Sequence, residues 1–197
     1  MNEAREKCIR QTIDLCSNYG LDFTMSQLAS QLGMSKKTLY LLFDSKEELL
    51  LATVDFMFDT VKVSETQVLA RQDLTMTEKI RRLIVVLPDS YKTLNWKRLQ
   101  GVEEKYPAVY RRIRHRLESG WESALELLRQ GMAEGVLRPF APGLLRAVVE
   151  GAIEHFLSSD ALERENLEYV QALDGMMDLL MDGIVADGRN ENEETSV

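Results

Sequence analysis

The chain has 197 residues, of which 45% are hydrophobic and 28% charged, and a formal net charge of −8. That length suits one or two domains with a sizeable buried core, and the composition is that of an ordinary soluble protein. No run of eighteen apolar residues is present, so no membrane-spanning helix is expected. The opening MNEAREKCIRQ has no apolar core for export, and the expected location is the cytoplasm. The acidity argues against a broadly basic nucleic-acid binder. It is unevenly spread, however. Residues 1–50 hold six Lys/Arg and seven Asp/Glu, a balance of −1, so −7 falls in the remainder. Between Gln27 and Phe43 the only charges are Lys36 and Lys37. Charges further away than about 8 Å are largely screened at cellular salt, so this local balance decides what the segment can bind.

The first helix is predicted over residues 3–19. Ile9, Ile13 and Cys16 recur at spacings of four and three, with Cys8, Leu15 and Tyr19 widening the stripe. Gly20 ends it. Cys8 and Cys16 lie about 12 Å apart on one helix at 1.5 Å per residue, beyond the roughly 7 Å reach of a disulfide. They read as small buried hydrophobes in a reducing compartment. Phe23 sits in a short buried corner. Thr24 caps a second helix whose Met25, Leu28, Ala29 and Leu32 share one face. Gly33 breaks it, as suits a backbone leaving with positive φ. Met34 tucks into the turn and Ser35 caps a third helix. There Leu39, Leu42 and Phe43 point inward and Lys36, Lys37, Thr38 and Tyr40 outward. Two short helices joined by a glycine-containing turn form a helix-turn-helix. The second helix of such a unit enters the DNA major groove N-terminus first.

The run GMSKKTLYLLFDSKEELL resembles the signature of the tetracycline-repressor family. The resemblance is close over residues 5–55 and one of layout beyond. It implies an all-α fold, with an N-terminal three-helix helix-turn-helix DNA-binding domain and a C-terminal helical ligand-binding and dimerisation domain. The expected divisions are residues 1–46, 47–187, and a disordered polar tail at 188–197. Lysine donates to guanine and a threonine methyl meets a thymine methyl, so Lys36, Lys37 and Thr38 are expected to set sequence choice beside Ser35. Thr24, Ser26 and Gln27, in the first turn of the second helix, are placed to touch phosphate. The resemblance matches Tyr40 to a phosphate-contacting tyrosine and Lys46 to a phosphate-binding lysine. The family often carries a polar or aromatic side chain where Leu41 and Leu42 stand. Those leucines offer no donors, so one of them either meets a thymine methyl or packs on the first helix.

Ser45 and Glu48 fit a capping box for a long helix over 46–70, which the resemblance makes the lever between head and body. Another helix begins at Thr75–Glu78 and stops near Pro88. Pro107 opens a helix expected to run unbroken to about Gly135. The last two helices are expected at 142–158 and 165–187. Leu145, Val149, Ala152 and Phe156 form one stripe, and Val170, Leu173, Met177 and Leu180 another, both with coiled-coil-like spacing. In this layout they imply a homodimer joined through a four-helix bundle. The body is expected to enclose a pocket for an unknown small-molecule effector, with Phe56, Tyr91, Trp96, Tyr110, Trp121 and His155 as candidate lining. Plain hydrophobic core is the competing reading. The arginines of YRRIRHR at 110–116 cannot share one helix face and read as a solvated face neutralised by acids. Glu150, Glu154 and His155 make only a weak metal set. With two histidines and no clustered cysteines, no metal and no cofactor are expected. No catalytic motif is present, so the chain is not expected to be an enzyme. The sequence thus points to a cytoplasmic, dimeric repressor of a palindromic operator in double-stranded DNA, with no membrane partner. Its rivals are a ligand-independent regulator or activator and a protein-interaction module without DNA binding.

Overall fold

The computed structural model describes residues 3–186. The polar tail expected from Gly188 lies outside the described residues. Twelve α-helices follow one another among the described residues. The head holds α1 (Glu3–Tyr19), α2 (Met25–Gln31) and α3 (Lys36–Leu42). Then come α4 (Lys46–Ala70), α5 (Met76–Ile84), α6 (Asp89–Lys92), α7 (Val102–Lys105) and α8 (Pro107–Glu118). The chain continues through α9 (Glu122–Ala133), α10 (Pro142–Ser158), α11 (Ala161–Arg164) and α12 (Tyr169–Ile184). The only extended pairing among the described residues is an isolated antiparallel bridge between Leu137 and Val185.

Local chemistry sets most helix starts. The Thr24 and Thr75 hydroxyls each accept from the backbone N–H three residues on, and Gln27 and Glu78 return the bond to the cap backbone. Ser45 makes half of its expected box. Its hydroxyl accepts from Glu48 N at 3.0 Å, but the Glu48 carboxylate accepts from Asp44 N and from Arg5 instead. Arg5 thereby ties α1 to α4, with its guanidinium 4.1 Å over the Phe43 ring. The head core follows the predicted periodicity. Leu28, Leu39 and Phe43 are fully buried, and Met25 and Ala29 nearly so. Tyr19, the last residue of α1, departs from it and is exposed.

Two predicted helices are interrupted. The run expected over 107–135 divides into α8 and α9 at Ser119–Gly120. Gly120 takes φ +84°, a left-handed conformation that ends α8, and its carbonyl accepts from the Lys62 ammonium of α4. The final helix starts at Tyr169 rather than 165, after the separate turn of α11 and the left-handed Asn166.

The hydrophobic interior falls into clusters that α4 connects. Leu49 and Leu50 at its start belong to the head core, which also takes in Val109 of α8. Val68 and Leu69 at its end pack on a second core built by α5, α9, α10 and α12. Twenty-five residues at 1.5 Å each make α4 about 37 Å long. Only Leu49, Leu50 and Thr53 along it are fully enclosed.

The dimer stripes require correction. Leu145, Val149, Leu173 and Met177 are buried inside this one chain, where α10 and α12 pack against α5 and α9. Ala152, Phe156, Val170 and Leu180 are half-buried beside them. A stripe at spacings of three and four faces an apolar surface, and here that surface is the chain's own core. The apolar positions left outside lie one step round the helices. Leu144 is 65% exposed, Val148 45% and Leu179 79%, with Gly151 also open.

Candidate nucleic-acid interface

The outward face of the head gathers most of the sequence-predicted contacts. Thr24, Ser26, Gln27, Ser35, Lys36, Lys37, Thr38 and Tyr40 are all exposed. They differ in what their polar atoms are free to do. Thr24 Oγ1 and Gln27 Oε1 are spent on the α2 cap. Ser35 Oγ accepts from Thr38 N at 3.0 Å and lies 2.8 Å from the Thr38 hydroxyl. Ser35 and Thr38 therefore fix the start of α3, and Thr38 offers chiefly its methyl group. Lys36 Nζ sits 5.8 Å above the Tyr40 ring, its i+4 neighbour. The leucine pair resolves asymmetrically. Leu41 is 79% exposed beside Lys37 and Thr38, while Leu42 packs on the head core and its carbonyl accepts from Arg5. α3 thus shows two ammonium groups, a phenol and a bare apolar side chain, suited to phosphate, base-edge acceptors and a thymine methyl.

Lys46 stands apart from this face. Its half-buried ammonium donates to the carbonyls of Leu21 and Phe23. It also lies 4.1 Å over the Phe23 ring and 5.5 Å from the Tyr106 ring. In this arrangement it staples α4 to the corner before α2.

Behind the head, α4, α5, α6, α8, α9, α10, α12 and residues 96–99 line a half-open cavity of about 180 Å³. Three of the six candidate pocket residues line it: Tyr91, Trp96 and Trp121. The other three lie elsewhere. Phe56 packs on the head core beneath the Arg10 guanidinium. Tyr110 donates to Glu154 Oε1 at 2.6 Å in a separate recess beside α7. That bond to a carboxylate pushes its phenol up to about 12. His155 is exposed next to Ser159. Helical spacing alone cannot separate these faces, because it gives a residue's angle on its helix and not what stands opposite. Residues missed by sequence reasoning include Lys62, Glu65 and Arg116, which reach the cavity wall. For Lys62 the available signal was a charge set within the apolar stretch 54–63. Lys62 pairs with Glu65 at 2.7 Å. Arg116 of α8 pairs with Asp59 at 2.6 Å and approaches Asp55 at 3.6 Å, both on α4. Three of the four YRRIRHR arginines accordingly meet acids. Arg112 faces Asp55, and Arg114 faces Glu118 and Glu154.

Residues 9–53 match the family model for bacterial regulatory proteins of the tetR family. The match spans the head and the first residues of α4. The uncharacterized HTH-type transcriptional regulator YvaF of Bacillus subtilis (strain 168) is 25% identical over 182 residues, 92% of this chain and 96% of YvaF. The fatty acid degradation regulator FadR from Bacillus halodurans has a TM-score of 0.68 at 16% identity, over 92% of this chain and 94% of that one. FadR from Bacillus subtilis, solved in complex with stearoyl-CoA, has a TM-score of 0.63 at 20% identity, over 90% and 98%. Those two likenesses show a common fold. The matched head and the YvaF likeness both support a DNA-binding transcriptional regulator. Among the described residues no helix is long and apolar enough to cross a membrane.

Proposed function

We propose that this chain is a cytoplasmic homodimeric repressor of the tetR family that a small-molecule effector releases from a palindromic operator. One observation carries the reading: α4 is unbroken from the head core to the body and forms part of the cavity wall. Leu49 and Leu50 anchor it in the head, and Met57, Phe58 and Val61 line the cavity a few turns later. A molecule filling that space presses on the helix that carries α3. The Arg116 pairs to Asp55 and Asp59 couple α8 to the same helix. Coupling then needs only that the effector bind one spacing of the two heads better than the other.

Each subunit presents Lys36, Lys37, Thr38, Tyr40 and Leu41 to a major groove, with Ser26 and the α2 start toward phosphate. The half-sites are about one helical turn apart. The subunits meet through Leu144, Val148 and Leu179 on the outer faces of α10 and α12, an apolar patch that a soluble chain does not ordinarily leave bare. Selection of bound sequences from random duplex DNA tests the reading. A two-fold symmetric consensus is expected, and recovered sequences without such symmetry refute the dimeric palindrome. Release of that duplex by small molecules from a cell extract tests the effector.

A further inference from the structure

We infer that the effector is an amphipathic anion, made of one compact apolar group and one acid group. The inference rests on reading the body cavity as the effector site. Residues 85–87, between α5 and α6, form part of the lining of that half-open cavity. The same three residues, Val85, Val86 and Leu87, also line a wider cleft of about 690 Å³ on their other side. The two spaces therefore share a wall of three half-buried apolar residues outside any helix.

Their chemistry differs. The inner cavity is walled mainly by aliphatic and aromatic side chains, and its few charges are already satisfied. Lys62 and Glu65 neutralise each other, and Arg116 is held by Asp59. At about 180 Å³ it compares with the roughly 150 Å³ apolar cavity that accepts a benzene ring. It has room for one ring or a short alkyl chain, and no free partner for a charge. The outer cleft is lined by Arg71, Arg81, Arg82 and Lys92 together with Asp89 and Asp174, a gathering of cations in a chain of net charge −8. Arg71, Arg81 and Lys92 lean on Asp73, Asp178 and Asp89. Arg82 has no such salt bridge among the described residues. Asp73 and Glu78 lie within electrostatic reach of Arg82 without forming an ion pair with it, so a bound carboxylate or phosphate can take that guanidinium bidentately. An apolar group inside and an acid outside, across the 85–87 wall, satisfy both spaces at once.

The chain's two tryptophans, Trp96 and Trp121, both line the inner cavity, so intrinsic fluorescence reports its occupancy. Sodium octanoate, octyl phosphate, 1-octanol and inorganic phosphate are titrated into the full-length protein. Octanoate or octyl phosphate is expected to shift the emission with at least tenfold tighter binding than 1-octanol, and the stronger of the two identifies the acid. Inorganic phosphate alone is expected to leave the emission unchanged. R82Q and K92Q are expected each to weaken the anion several-fold and leave 1-octanol unaffected. Octanol binding as tightly as the anions, or no shift with either anion, overturns the inference. Retention of duplex DNA is measured on the same samples. Octanol that binds and releases DNA refutes the anion while sparing the effector reading. Loss of DNA binding without any ligand present strikes the regulator reading instead.

Discussion

Replacing Lys46 by Met separates two roles that a lysine at the start of α4 can play. Methionine keeps the apolar stem and removes the charge and donors. The structure assigns the ammonium to the Leu21 and Phe23 carbonyls and the Phe23 ring. Hydrogen bonds from charged donors contribute about 1.5–3 kcal/mol each when well enclosed. Lys46 is only half-buried, so water recovers part of that loss. A net loss of about 2 kcal/mol is expected, including about 0.5 kcal/mol from the cation over the ring. Against a total stability of about 5–15 kcal/mol this shifts a denaturation midpoint clearly. A phosphate contact predicts something different. Each neutralised phosphate adds about 0.9 to the slope of log affinity against log salt, so a dimer losing two drops by about 1.8. Urea unfolding followed by circular dichroism and DNA anisotropy at several salt concentrations measure both quantities. The expected result is a lower midpoint with an unchanged slope. A slope lower by about 1.8 with an unmoved midpoint refutes the inward staple and restores the phosphate contact.

The remaining predictions use the same logic. Replacing both Lys36 and Lys37 by Ala removes the exposed cations of α3, and the salt slope on random duplex should fall by up to about 3.6 for a dimer; unchanged binding means α3 is not the reading helix. Gly20→Ala places a Cβ at φ +63° and 2.7 Å from the Arg98 carbonyl, and the left-handed conformation alone costs about 1–2 kcal/mol, so unfolding at wild-type urea contradicts the docking of residues 96–99 on the head. Val148→Asp with Leu179→Asp should give a monomer by sedimentation with unchanged helicity, because both side chains are outside the core; a persistent dimer places the interface elsewhere. Burial pushes the Cys16 thiol from 9.0 up to about 12 and also raises the Tyr169 phenol. Both are protonated more readily folded than unfolded, so their contribution is complete below pH 9.0 and is lost as pH climbs toward the folded values. Stability should fall on the alkaline side, and Cys16 should resist thiol reagents at pH 8 until the chain unfolds; rapid labelling of the native protein excludes this burial.

What depends on neighbours along the chain was legible in the order of residues. Thr24, Ser35 and Thr75 cap helices because a hydroxyl three residues before a backbone N–H accepts its bond wherever the helix lies. The identities of Leu28, Leu39 and Phe43 as head core follow from helical spacing alone. The face bearing Lys36, Lys37 and Tyr40 follows from the same spacing. Tertiary structure decided everything that required knowing what stands opposite. Periodicity fixes the angle of a stripe on its helix, not the surface it meets. Leu145 and Met177 therefore carry the spacing of a subunit seam, yet they meet α5 and α9 of their own chain. The Lys46 ammonium turned inward because α4 brings it beside two carbonyls more than twenty residues earlier in the chain. Gly120 breaks the α8–α9 run where Lys62, 58 residues away, reaches its carbonyl. The cavity and its charged neighbour exist only because residues 85–87 pass between helices from distant parts of the sequence.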